Sequence, residues 1–424
     1  MNKHILFILL FAIIFLTGRV YAAGGTTPAQ DPNAVAKGIN EFAFNLYGKI
    51  KDLPAIKNAE GNLFFSPYSI SSALAMTYTG ARGNTAKEMD EVLKFPESKP
   101  YTTPDSYREK IAAGYGALQK ELQADPKTSG YQLNIANALW GQKGFGFLPA
   151  FLDSSKKYFG SGLTELDFAQ PEAARKTINT WIEEQTKEKI KDLIPSGGLD
   201  PMIRLVLTNA IYFKGDWASK FKTENTKPAK FNVTADKTVE VPMMYQKETF
   251  EYGESDTVQI LQMPYKGNEL AMMLILPKAG GTIESVDKQI ASNPFLVIGA
   301  ANRRKVEMEV YLPKFKLVCG TLEMKGILSQ MGMKEAFTDS ADFSGMSGKK
   351  DLCISKVMHK AFVEVNEEGT EAAAATAVGM RLTAMPLAPP VFRADRPFIF
   401  IIKENAKSQT ILFMGRVCNP TLQN

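Results

Sequence analysis

The sequence predicts a single α+β domain, because helical and strand-like patterns follow one another in separate stretches. Apolar residues recur with helical spacing in the first third of the chain, and strand patterns dominate later. No linker rich in Pro, Gly or Ser separates two hydrophobic stretches after residue 33, although chains of 424 residues often form several domains. We therefore expect one domain over residues 34–424, with mixed or antiparallel sheets.

Composition places the chain among ordinary globular proteins. It is 45% hydrophobic and 22% charged, which excludes a disordered or fibrous chain. The net charge of +5 is spread along the sequence, so no basic patch predicts nucleic acid as a partner. Three cysteines (Cys319, Cys353 and Cys418) lack the spacing of a zinc or redox motif, and we expect idle or buried thiols.

Residues 1–22 have the pattern of a secretory signal peptide. Lys3 and His4 precede an apolar run over 5–16, and Val20, Tyr21 and Ala22 form a small-residue cleavage site. The run is shorter than the ~20 residues that span a membrane, so export is favoured over anchoring. We expect a secreted or periplasmic protein without a membrane partner, and a flexible leader over 23–33.

Three segments have helical periodicity. The first places Ile39, Phe42, Leu46 and Ile50 on one face. The second begins near Asp105, a candidate N-cap, and its apolar face is formed by Tyr107, Ile111, Tyr115, Leu118 and Leu122. The third contains Ile178, Trp181 and Ile182 and lies between strand-like segments.

Strand patterns take two forms. Val306, Met308, Val310 and Leu312 alternate with polar residues, as in a strand that is buried on one face. A similar but weaker pattern over 132–139 is interrupted by Asn137, which falls on the apolar side. Residues 270–276 and 398–402 are continuous apolar runs, typical of strands covered on both faces.

The sequence offers little for catalysis. None of the common nucleophile, zinc-protease, Walker or dinucleotide motifs is present, and we expect no catalytic residue, no metal and no cofactor. After removal of the signal peptide, His359 is the only histidine. It lies in an alternating, strand-like segment, where a hydrogen-bonded core imidazole is far more common than a general base.

An unusual segment follows His359. Residues 367–371, with the sequence EEGTE, lead into an alanine-rich run at 372–378. Such a run could form a solvated helix. In an extended conformation, Thr370, Ala372, Ala374, Thr376 and Val378 would share one face of small side chains. The period of the sequence alone does not decide between the two.

Five blocks of sequence resemble the signatures of the serpin family. They are NLFFSPYSI at 62–70, TNAIYFKGDW at 208–217, LPKF at 312–315, EVNEEGTEA at 364–372 and FMGRV at 413–417. They occur in the family's order and span nearly the whole mature chain, so together they are highly specific. The fourth is similar to the hinge of inhibitory members.

The resemblance implies a fold of three β-sheets and eight or nine helices, with an exposed reactive loop at about 367–391. It further implies a suicide-type inhibitor, neither an enzyme nor dependent on a cofactor. A target protease cuts the loop, which inserts into the central sheet before the acyl-enzyme hydrolyses. We expect a monomer whose partner is a serine protease, with a cysteine protease as the alternative.

The resemblance also assigns roles along the loop. Its hinge comprises Glu367, Gly369, Thr370, Ala372, Ala373, Ala374 and Ala375. The family's usual spacing places the reactive bond between Thr383 and Ala384, which suggests an elastase-like or broad-specificity target. A shifted bond at Arg381 or Leu382 is the alternative, and at Arg381 it would suit a trypsin-like enzyme.

Other residues match positions within the body of the family's fold. Ser66, Asn209 and His359 match the shutter, a polar cluster beneath the central sheet. Trp217 matches the breach, the point of insertion, and Lys314 matches a residue there that forms a salt bridge with Glu367.

Two other functions compete with the inhibitor. One is a non-inhibitory serpin acting as carrier or chaperone, in which bulky, charged or proline residues would be expected at inward-facing hinge positions. Thr370, Ala372, Ala374 and Thr376 include none. The other is a secreted hydrolase that uses His359.

Overall fold

The structure is a computed structural model that describes residues 31–58, 60–96, 103–123, 130–160, 162–294, 303–318, 320–370 and 389–422. The predicted signal peptide at 1–22 and Cys319 lie outside the described residues. So do eight residues predicted for the hinge and the reactive bond, namely Ala372, Ala373, Ala374, Ala375, Arg381, Leu382, Thr383 and Ala384.

Ten α-helices occur in the described part of the chain. They are α1 (Pro32–Ile50), α2 (Pro54–Asn58), α3 (Pro67–Tyr78), α4 (Gly83–Leu93), α5 (Pro104–Leu122), α6 (Pro149–Phe159), α7 (Pro171–Gln185), α8 (Ile283–Ser292), α9 (Lys325–Met331) and α10 (Ser344–Ser347). Short 3-10 turns occupy Thr223–Asn225 and Glu335–Phe337. The three helices expected from periodicity correspond to α1, α5 and α7.

The described strands are β1 (Leu63–Phe65), β2 (Tyr131–Gln142), β3 (Leu163–Leu166), β4 (Leu205–Asp216), β5 (Lys227–Asn232), β6 (Thr238–Glu254), β7 (Val258–Pro264), β8 (Leu270–Pro277), β9 (Arg304–Pro313), β10 (Phe315–Val318), β11 (Leu322–Glu323), β12 (Lys356–Val365), β13 (Gly369–Thr370), β14 (Val391–Arg393), β15 (Phe398–Glu404) and β16 (Ile411–Val417). The apolar runs correspond to β8 and β15, in which every residue is buried, so the two-faced burial expected for them is confirmed.

Capping residues move two of the predicted boundaries. The side chain of Asp31 accepts hydrogen bonds from the first turn of α1, and Pro32 occupies the first helical position, where its missing N–H costs nothing. The helix therefore begins inside the predicted leader 23–33. In α5 the N-cap is Thr103, which forms a capping box with Ser106, and the prediction of Asp105 was wrong.

The strands form two hydrogen-bonded networks. The larger has the order β1-β16-β15-β8-β7-β6-β9-β14, with β5 also paired to β6. The long strand β6 pairs in turn with β5, β9 and β7 along its length, so it joins strands that would otherwise form two separate sheets. The smaller network has the order β10-β12-β13-β4-β2-β3 and is called the central sheet below.

The central sheet has apolar side chains on both faces. On one face, Ile178 and Ile182 of α7 pack with Ala210 and Phe362. On the other, α3 is buried over its whole length and belongs to the main hydrophobic core with Ile211 and Phe213 of β4. The side chains on both faces of β4 are therefore buried near the centre of the strand. None of the described helices is long and apolar enough to cross a membrane.

Candidate functional site

Three polar side chains lie side by side across the middle of the central sheet. Asn137 of β2 is opposite Asn209 of β4, and Asn209 is opposite His359 of β12. Asn209 and His359 are fully buried, and Asn137 is 8% exposed. We call these three residues the polar row. Their registration follows from strand pairing, since residues directly opposite one another share a face.

The hydrogen bonds of His359 define a neutral imidazole. Its Nε2 accepts from the backbone N–H of Ser66 at 3.2 Å, so its Nδ1 carries the proton and donates to Oδ1 of Asn209. Burial lowers the pKa of His359 to about 3, although the contact with Asn209 opposes this shift. The imidazole is closed off from solvent and is held as a structural hydrogen-bonding group.

The N-terminus of α3 completes this cluster. Ser66 is the N-cap of α3: its Oγ accepts from Ser69 N–H at 3.1 Å and donates to the carbonyl of Leu412 at 2.6 Å. One turn later, the Oγ of Ser69 donates to Oδ1 of Asn137 at 2.8 Å. The amide of Asn209 donates to Oγ of Ser69 and to Oδ1 of Asn137. Helix and sheet are thus joined by one buried network.

The polar row lies within the parallel pairing of β4 and β12. That pairing runs from Val206 opposite Lys356 to Tyr212 opposite Phe362. A strand entering between β4 and β12 must separate Asn209 from His359 and break their hydrogen bond. Because a buried polar group needs a partner, the cluster resists separation unless the incoming strand supplies one.

Above Tyr212 and Phe362 the two strands diverge, and β13 occupies the space between them. Thr370 pairs with Val365 of β12 and with Gly215 of β4, both antiparallel. Gly369 crosses β4 so closely that a Cβ would lie 2.0 Å from the carbonyl oxygen of Gly215, and only glycine fits there. The segment after β12 therefore enters the sheet as a short strand.

Thr370 is anchored by its side chain as well. It is fully buried, and its hydroxyl lies 2.8 Å from the hydroxyl of Tyr265. Tyr265 stacks on Trp217 with ring centroids 4.7 Å apart and planes 8° apart. Trp217 in turn donates its indole N–H to the carbonyl of Asn366 at 3.0 Å. This set of contacts around residues 366–370 is called the hinge clasp below.

Two carboxylates add ionic contacts to the hinge clasp. Glu367 lies 2.8 Å from Nζ of Lys314 and accepts from the hydroxyl of Thr226 at 2.8 Å. Burial alone would raise the pKa of Glu367, but the hydrogen bonds, first of all that from Lys314, outweigh it and the pKa lies below its ordinary value. The next residue, Glu368, lies 2.6 Å from Nζ of Lys220.

The structure brings the predicted site residues together in two places on the same pair of strands. Ser66, Asn209 and His359 meet at the polar row. Trp217, Lys314, Glu367, Gly369 and Thr370 meet at the hinge clasp. Among the described residues, no group of three or more His, Cys, Asp or Glu side chains could hold a metal ion.

Sequence reasoning missed several members of both clusters. Ser69 and Asn137 belong to the buried network, and Tyr265, Thr226 and Lys220 belong to the hinge clasp. Asn137 carried a signal, because it interrupted an apolar face. Tyr265 carried none, since its partner Thr370 is 105 residues away in the sequence.

Comparison with known proteins agrees with this architecture. The family described as "Serpin (serine protease inhibitor)" matches residues 37–420. The chain is 42% identical over 387 residues to leukocyte elastase inhibitor of Xenopus tropicalis, covering 89% of this chain and 97% of the relative.

Among solved structures, Serpin48 of the insect Tenebrio molitor has a TM-score of 0.78 and 32% identity, covering 91% of this chain and 98% of that one. Human thyroxine-binding globulin has the same TM-score and identity, covering 92% of this chain and 100% of that one.

The fold and the site define a protein whose central sheet holds the short strand β13 between β4 and β12. The chain belongs to the serpin family, a family of serine protease inhibitors.

Proposed function

We propose that this protein is a secreted or periplasmic suicide inhibitor of an elastase-like serine protease. The protease serine attacks the carbonyl carbon of Thr383, the peptide bond to Ala384 breaks and the amine leaves with the C-terminal segment. The acyl ester persists because the freed loop inserts between β4 and β12 before water can hydrolyse the ester. No residue of this chain acts as a catalyst, and the inhibitor works as a monomer.

The position of Thr370 is the observation that carries the proposal. This residue already pairs with both β4 and β12, directly above the point where those strands part. A loop whose first residues are seated needs only to continue in the same direction. Antiparallel pairing with β4 then places Ala372 opposite Phe213, Ala374 opposite Ile211 and Thr376 opposite Asn209.

That register also supplies the missing partner in the polar row. Thr376 would arrive opposite Asn209 at the moment when His359 is displaced from it. A threonine hydroxyl can accept or donate, so it could satisfy the amide of Asn209. Small side chains at the other inward positions would avoid clashes with the buried aromatic residues of β4.

Hydrogen bonds alone do not drive such an insertion. Each contributes ~1 kcal/mol net, whereas ordering each residue of the loop costs ~1 to 2 kcal/mol. The remainder must come from closing the gap between β4 and β12 and from new side-chain packing. The native protein is therefore a kinetically trapped state, whose lifetime depends on an unfolding or insertion rate.

The proposed target follows from the side chains around the bond. Thr383 and Ala384 are small, which suits a shallow primary pocket. The name of the Xenopus relative, leukocyte elastase inhibitor, points to the same class of protease. Cleavage at Arg381 by a trypsin-like enzyme is the alternative.

Incubation with elastase, chymotrypsin and trypsin tests the proposal. We expect a complex with elastase that survives boiling in detergent. Mass spectrometry should show that the released C-terminal peptide begins at Ala384. Thr370→Arg should yield cleaved protein without complex, because a buried unpaired charge blocks insertion. Thr370→Ser keeps the hydroxyl and should retain inhibition.

The same assay separates the other two functions. If the protein is a carrier or chaperone, the native chain and Thr370→Arg should behave alike: both should be cleaved, and neither should form a stable complex. A hydrolase would turn over a substrate and lose that turnover in His359→Asn. Identification of the mature N-terminus at Ala23 in periplasm or medium would support export, and an intact Met1 would contradict it.

A further inference from the structure

A cavity of about 710 Å³ is lined by residues that follow α1, by α8 and by the end of β16. None of its lining residues belongs to the polar row or to the hinge clasp. Small-molecule sites typically measure ~300 to 1,000 Å³ and combine apolar walls with a few fixed polar groups. This cavity has the size of such a site.

Its floor is rigid because a buried ion pair forms it. Arg416 of β16 lies 2.9 Å from Asp287 of α8, and both side chains are less than a tenth exposed. Tyr47 of α1 donates to the other oxygen of Asp287 at 2.6 Å. The carbonyl of Gly61 accepts from Nε of Arg416 at 2.8 Å. Three elements are thereby locked together before any ligand arrives, which lowers the entropic cost of binding.

The walls are apolar. They include Val233 from the turn between β5 and β6, Ile283 and Ala291 of α8, and Pro397. The thiol of Cys418 completes them, and burial raises its pKa to about 11, so it stays neutral. Gly61 allows Cys418 to pack closely against the floor, because a Cβ at this position would lie 3.0 Å from the sulfur of Cys418.

The rim is cationic. Five basic and four acidic side chains line the cavity. Arg416 is matched by Asp287, and Lys237 by Glu60, whereas Lys51 and Lys57 share Asp52 at 2.7 and 4.0 Å. The remaining basic side chain, Lys288, is exposed on α8 one turn after Glu284. Because Lys51 and Lys57 share one carboxylate, the lining carries an excess of one positive charge.

We propose that this cavity binds a small amphipathic organic anion, with the apolar body against α8 and the acidic head at the lysine rim. The observations that carry the proposal are the volume, the apolar walls and the surplus of one positive charge in the lining. The site is independent of protease inhibition and would exist whether or not the loop inserts.

Calorimetric titration of the purified chain with sodium decanoate, below its micelle concentration, tests this site. We expect one molecule bound per chain and a rise in melting temperature with decanoate concentration, because a ligand that binds only the folded state stabilises it. Decyltrimethylammonium has a chain of the same length and the opposite charge, and it should bind about tenfold more weakly.

Two variants locate the site. Ala291→Trp, on the exposed edge of the cavity, should abolish binding because the indole fills the space, while the melting temperature without ligand stays unchanged. Lys288→Glu should weaken binding by about threefold to tenfold through reversal of a rim charge. The matched control Lys176→Glu, exposed on α7, should bind as the native chain does.

Three outcomes would overturn the proposal. Binding that persists in Ala291→Trp would place decanoate elsewhere. Equal affinity for decanoate and decyltrimethylammonium would show a non-selective apolar surface. The absence of any heat or thermal shift with the native chain would show that the cavity binds neither class.

Discussion

Asn209 and His359 face each other in register across β4 and β12, and the Nδ1 proton of the imidazole is donated to the amide oxygen. This hydrogen bond joins β4 and β12, the two strands that an inserting loop would have to separate. It also fixes His359 as a neutral group in a site without solvent, and a dependence on pH follows from that.

We predict that His359 destabilises the native state in acid. Its pKa is about 3 when folded, against an ordinary value of 6.5, so between these values the unfolded chain binds a proton that the folded chain does not. Protonation of His359 therefore costs no stability above pH 6.5. As the pH decreases below this value, the free energy of unfolding falls, by about 2 kcal/mol at about pH 5. Melting temperatures across this range measure the effect. In His359→Asn the fall between pH 6.5 and about pH 5 should be absent, and an unchanged slope would contradict the assignment.

We predict that Glu367→Gln weakens the hinge clasp only modestly. Lys314 is 39% exposed, so the ion pair is partly screened and its loss should cost about 0.5 to 1 kcal/mol. The lowered pKa of Glu367 makes this stabilisation present above the ordinary value of 4.5 and lost as pH falls through the folded value. The half-life of the native state at elevated temperature measures it. As a control, Glu307→Gln removes a more exposed ion pair with Lys247 and should change that half-life less. An equal change in the two variants would contradict the prediction.

We predict a larger effect from Tyr265→Phe. The substitution leaves the buried hydroxyl of Thr370 without its partner, which costs about 1 to 3 kcal/mol. Amide hydrogen exchange over residues 366–370 should accelerate by about tenfold or more. In the double variant Tyr265→Phe, Thr370→Val both hydroxyls are gone, and exchange should return towards the native rate. Additive effects of the two changes would argue against a direct hydroxyl contact.

We predict that Thr376 matters only after cleavage. If the inserted loop continues the register of β13, Thr376→Val leaves Asn209 without a partner and lowers the stability of the cleaved form by about 1 to 3 kcal/mol. The uncleaved form should melt unchanged. Melting curves of both forms, with Thr376→Ser as the control, separate these cases. A cleaved Thr376→Val chain as heat-resistant as the native cleaved chain would rule out this register.

Each helical or strand segment that was predicted from a local pattern corresponds to a helix or strand of the structure, because burial of one or both faces leaves a period in the sequence. The apolar face of α1 and the runs in β8 and β15 are examples, as is the alternation in β9. Boundaries were less predictable, since Thr103 and Asp105 are both plausible caps and only hydrogen-bond geometry chooses between them.

The site was predictable only in part, and by resemblance to a family more than by chemistry. Ser66, Asn209 and His359 are far apart in the chain, and nothing in their spacing indicates that they meet. Asn137 carried the one physical signal, a polar residue on an apolar face, which the register with Asn209 now explains. Tyr265 and Lys220 depend on contacts across the top of the sheet that no periodicity encodes.

The stacking of Trp217 on Tyr265 gives the protein a built-in optical reporter. The chain has three tryptophans, and the other two, Trp140 and Trp181, contact each other on the opposite face of the central sheet. With those two replaced by phenylalanine, fluorescence would come from the single indole whose N–H is bound to the base of the loop. Emission could then follow movement of that segment in real time, during a single encounter and without any attached dye.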